Sequence, residues 1–171
     1  MKFIPLLAVF LFAAAANAQS LKKYSVSNSG CSLYSYCESK YDVDYSDDSS
    51  KVFTGECTIG EVTYGVICVK LLTIINDLDA AEEMMISYVD FLKNSFNIKK
   101  TTGYGKGHHL NNNNENTRGI LDYWEDKELD KWKIKAWTDG KFIGFLYAYS
   151  KKELQEQKVN AFLDSFRLPG M

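Results

Sequence analysis

Trp132-Lys133-Ile134-Lys135-Ala136-Trp137-Thr138-Asp139-Gly140-Lys141-Phe142-Ile143-Gly144-Phe145-Leu146-Tyr147-Ala148-Tyr149 reads as two β-strands around a tight turn. Asp139-Gly140 supplies the turn chemistry, and both arms are rich in aromatic and β-branched residues. A two-residue turn sets Ala136 opposite Ile143, Ile134 opposite Phe145 and Trp132 opposite Tyr147. These pairs form one apolar face, which must meet a core. The other face mixes Lys133, Lys135, Gly144 and Leu146 with the pair Trp137 and Phe142. A one-residue slip would exchange the faces, so the pattern fixes which side is buried. A helix layer over the mixed face would make Trp137 and Phe142 core, which is the favoured reading. Left open, the two aromatics beside Lys135 and Lys141 would be the best candidate binding surface.

Working outward, Ser150-Lys151-Lys152-Glu153 has the spacing of a capping box. It predicts a helix over 151–167, with Leu154, Val159, Phe162, Leu163 and Phe166 as its stripe and Pro169-Gly170 as its stop. Upstream, 117–125 reads as a strand, 111–116 as a polar loop and 97–107 as extended chain. Residues 77–96 read as a helix. Ala81, Met84, Met85, Tyr88, Phe91, Leu92 and Phe96 recur at three- and four-residue spacing, and acidic residues crowd the first turns, where the helix dipole favours them. This Met-rich stripe has two readings, a core face and an adaptable binding face; core is preferred. Before it, a three-stranded meander is expected at 33–41, 51–58 and 62–72, turning at Ser46–Ser50 and Gly60-Glu61. Residues 19–30 read as a loose polar lead-in. The expectation is one α+β domain over 31–168, an antiparallel sheet of about six to seven strands with two main helices.

The chain begins as an exported protein does. Lys2, an apolar run to Ala16 and the A-x-A site Ala16-Asn17-Ala18 predict a signal peptide over residues 1–18. Gln19, not Cys, would follow the cut, so no lipid anchor is expected. No later apolar run reaches membrane-spanning length. The expected location is periplasmic or extracellular. In that setting Cys31, Cys37, Cys57 and Cys68 read as two disulfides. Three pairings are open, and the symmetric placing of Cys37 and Cys57 about the Ser46–Ser50 turn favours that pair.

Composition excludes several functions. The 171-residue chain carries a formal net charge of −2, so it lacks the cationic field that nucleic-acid binding needs. No nucleophile elbow, zinc-protease helix, P-loop or dinucleotide fingerprint occurs. The histidines, His108 and His109, are adjacent, and the cysteines have no C-x-x-C spacing, so neither a zinc site nor a thioredoxin-like site is expected. No catalytic residue, metal or cofactor is assigned. His108 and His109 are kept as weak binding candidates, and with nearby carboxylates they define the alternative reading, a small secreted hydrolase. Asp42 to Asp48 begins like a calcium loop, but Asp47 stands where glycine is needed and Phe53 where a bidentate glutamate is needed. The acidic series Asp122, Glu125, Asp126, Glu128 and Asp130 is read as a solvated charged turn.

The second half resembles a known family. Thr117-Arg118-Gly119-Ile120, the Lys133–Trp137 strand, the Asp139-Gly140 turn, Phe142–Tyr149 and a closing Phe162-Leu163-Asp164-Ser165-Phe166 are similar to the PsbP-like and DcrB-like α/β/α sandwich superfamily. The resemblance spans about residues 61–168. It implies a sheet between helices and a non-enzymatic accessory or binding role toward an unknown protein or small ligand. It transfers no functional residue.

Overall fold

The computed structural model describes residues 20–103, 105–110 and 114–171. The predicted leader lies outside the described residues. Nine strands and two helices occur among those described. They are β1 (Lys22–Ser25), β2 (Ser32–Ser35), β3 (Lys40–Tyr45), β4 (Lys51–Ile59), β5 (Val62–Lys70), α1 (Leu78–Ser95), β6 (Ile98–Thr101), β7 (Arg118–Asp126), β8 (Lys131–Thr138), β9 (Phe142–Ser150) and α2 (Glu156–Leu163). A two-stranded sheet joins β1 and β2; a seven-stranded antiparallel sheet runs β3-β4-β5-β9-β8-β7-β6. The fold is α+β.

The β8–β9 faces are those read from the sequence, but the pairing lies two residues further out. Ala136 faces Phe145, Ile134 faces Tyr147, Trp132 faces Tyr149 and Trp137 faces Gly144. The cause is a wider turn. The Asp139 carboxylate accepts the N–H groups of Lys141 and Phe142 at 2.9 and 2.8 Å, and the Thr138 hydroxyl donates to the Phe142 carbonyl at 2.9 Å. A shift of two conserves side-chain parity, so the core face is unchanged. Gly140 is required there: its φ is 76°, and a Cβ would stand 1.9 Å from the Ile75 carbonyl oxygen.

Each face of the main sheet has its own core. Against α1 lie Ile67, Val69, Ile120, Ile134, Ile143, Phe145 and an aromatic group of Trp124, Trp132 and Tyr147. Against α2 and the small sheet lie Phe53, Tyr64, Val66, Trp137, Phe142 and Leu146, with Leu33, Val159, Phe162 and Phe166. α1 starts where expected because the Asp77 carboxylate caps the N–H groups of Asp79 and Ala80. Its buried stripe is Ala81, Met85, Val89 and Leu92, narrower than the apolar series in the sequence.

Three expectations are corrected. The segment read as one strand over 33–41 splits into β2 and β3, which belong to different sheets. The polar lead-in is in part β1, which pairs with β2, and Val26 beside it is fully buried. α2 starts at Glu156 rather than near Lys151, since Ser150 is still paired with Lys131 in the sheet and Glu153 bonds Lys131 at 2.5 Å. The Ser150 hydroxyl accepts only the Lys152 N–H among the described residues, and the helix begins after Gln155, whose side chain makes no capping bond.

The cysteine reading is corrected as well. Cys37 and Cys57 form a disulfide, whereas Cys31 and Cys68 are free thiols. Those two are 2% and 0% exposed, and the Cys68 thiol is hydrogen-bonded to that of Cys31. This bond, with burial, raises the Cys68 pKa well above the ordinary thiol range, which suppresses the reactive thiolate. Native protein should therefore resist alkylation, and denaturation without reductant should expose two labelling sites. Finding none by mass spectrometry would mean that Cys31 and Cys68 had been oxidised to a second bridge.

Candidate functional site

A single helix cannot cover one face of a seven-stranded sheet. Strands spaced about 4.8 Å apart make a face about 29 Å wide, and a helix is about 10 Å across. α1 packs over β6, β7 and β8. β5 still gives Ile67 and Val69 to that core, but towards the β3 edge the same face is less covered, with Val52 and Thr54 half-buried and Asp42 and Asp44 exposed. The result is a groove of about 650 Å³, within the range of small-molecule sites. Val52, Val69, Leu71 and Ile143 line its sheet side, and Met84, Tyr88 and Phe91 its helix side.

The helix side consists of the apolar residues that the buried stripe does not use. Phe91 is 61% exposed and Met84 42%, and the Tyr88 and Phe91 rings stack at 6.2 Å. Burial pushes the Tyr88 phenol up to about 12, so it stays neutral at physiological pH. At one end of the groove the β3–β4 turn contributes Asp44, Tyr45, Ser46, Asp47 and Asp48. Asp48 accepts the Ser46 hydroxyl at 2.5 Å and the Ser50 N–H and hydroxyl at 3.0 and 2.9 Å. These bonds, that of Ser46 first, lower its pKa and keep it charged.

The residues singled out from sequence fall elsewhere. Trp137 and Phe142 are 3% and 7% exposed. The Trp137 indole donates to the Leu163 carbonyl at 3.3 Å, so this pair is core beneath α2 and no surface anchor. His108 is exposed, and its N–H pairs with the Gly119 carbonyl. His109 Nδ1 lies 3.0 Å from the Thr117 carbonyl oxygen. Among the described residues no three His, Cys, Asp or Glu side chains gather as a metal site would require.

The acidic series is partly buried rather than wholly solvated. Asp122 accepts the Trp124 indole N–H at 2.7 Å, and Asp126 accepts that of Trp132 at 3.0 Å. Both carboxylates fix aromatic rings against α1, a positioning role that satisfies buried donors. On the opposite face Lys133 is 2% exposed, paired with Glu156 and set 4.7 Å from the Tyr123 ring centroid. Burial lowers its pKa, but its hydrogen bonds to Glu156 and Tyr123 outweigh this and leave it raised.

Sequence reasoning missed the groove because no motif marks it. The available signal was the width of the α1 apolar series, too broad for one buried stripe. The chain matches no protein-family model and no curated protein. Among the described residues no helix is long and apolar enough to cross a membrane.

Proposed function

We propose that this is an exported, non-enzymatic binding protein and that the groove beside α1 is its ligand site. The observation that carries the reading is the concave apolar surface between the half-buried Val52 and Leu71 and the exposed Met84 and Phe91. Exposed apolar surface with concave shape is costly to leave in water and marks binding sites. Export is supported by the leader-like N-terminus and by the Cys37–Cys57 disulfide, a bond typical of oxidising compartments. The likeness to PsbP-like and DcrB-like domains points to the same kind of role.

The test uses a neutral apolar fluorophore such as N-phenyl-1-naphthylamine. Its emission should rise and shift to the blue with the intact protein. Phe91→Glu should weaken this binding at least tenfold with an unchanged unfolding midpoint, because Phe91 is largely exposed. Absence of binding to the unsubstituted protein would remove the reading.

A further inference from the structure

We infer that the groove selects a small amphiphile with an alkyl or aryl body and a cationic ammonium head. This rests on the groove being the ligand site and adds the chemistry of what it takes. Two observations on the groove lining carry it.

The first is charge. The charged side chains lining the groove are Asp44, Asp47 and Asp48. Each carries the same sign, and among the described residues no lysine or arginine lines the groove with them. Asp48 is held by the Ser46 and Ser50 bonds, which lower its pKa from the usual carboxylate value. Among the described residues the Asp44 carboxylate accepts a local bond, from the Tyr45 N–H at 2.8 Å. An anionic head would meet repulsion from the whole turn; a cationic head would be attracted.

The second is aromatic. Tyr88 and Phe91 form the helix wall of the groove, and Phe91 is 61% exposed. Ring faces attract ammonium groups, most strongly those that water solvates weakly, such as quaternary amines. Carboxylates at one end and an aromatic helix wall beside aliphatic residues match an ammonium head joined to an apolar body. A volume of about 650 Å³ suits a ligand of drug-like size rather than a folded partner.

The experiment compares decyltrimethylammonium, decanol and decyl sulfate with the intact protein by calorimetric titration, each below its micelle concentration. The cation should bind at least tenfold more tightly than either of the others, and the difference should narrow at high salt. The double variant Asp44→Asn with Asp47→Asn should bring the cation within about threefold of decanol and leave decanol unchanged; both residues are exposed, so the fold should persist. Equal binding of all three would overturn the charge selection while leaving the groove as a site. Tighter binding of the sulfate would overturn it outright. No binding of any would remove the groove itself. Tight binding of a basic peptide with no binding of the ammonium would replace this ligand class with another.

Discussion

Trp137→Ala is expected to lower the unfolding free energy by about 3–5 kcal/mol and to leave groove affinity unchanged. Trp137 lies in the core beneath α2, on the opposite face of the sheet from the groove. Its ring packs over Gly119, where a Cβ would stand 2.2 Å from it, so that glycine is the space the indole fills. Truncation would remove a large apolar group, leave a cavity, and strand the Leu163 carbonyl that accepts its N–H. Chemical denaturation gives the stability, and the fluorophore titration gives the affinity. A loss below about 1 kcal/mol would contradict the burial; weakened ligand binding would couple the two faces of the sheet.

Reduction of the Cys37–Cys57 bridge, or its replacement by two serines, should cost about 3 kcal/mol for a loop of this length. The bond spans 20 positions and encloses the whole of β3. β3 is an edge strand whose residues are mostly exposed, so apolar burial holds it weakly. Removing the bridge should make the β3–β4 amides the first to lose hydrogen-exchange protection. Groove affinity should fall with them, because β3 and its turn carry Asp44, Asp47 and Asp48. A stability change under about 1 kcal/mol would mean that the ladder to β4 holds the edge alone.

What the chain states locally, the fold obeys. Alternation in Trp132–Tyr149 predicts both strands and their faces, because a period of two is a property of any extended segment. Asp77 and the periodic residues behind it predict α1 to within a residue or two at each end. Features that depend on competition between distant partners are not legible in this way. The Ser150 signal matches a helix cap, yet the ladder to β8 claims that residue first. Lys22–Ser25 has little apolar content of its own, and becomes a strand because β2 lies alongside it. A two-residue turn was the simplest reading of Asp139-Gly140, but the Asp139 carboxylate and Thr138 hydroxyl stabilise a longer one.

The sequence by itself determined the α+β class, the strand faces, the position of α1 and the Cys37–Cys57 preference, all from local pattern and spacing. Only the tertiary structure decided that Cys31 and Cys68 meet as buried thiols, that Trp137 and Phe142 are core, and that Met84, Tyr88 and Phe91 border a groove. The physical reason is area. Periodicity says that a residue is apolar and which way it points, but coverage depends on how much sheet one helix spans. Here α1 lies mainly over β6 to β8, and the less covered surface between its outer residues and the β3–β4 edge becomes the site.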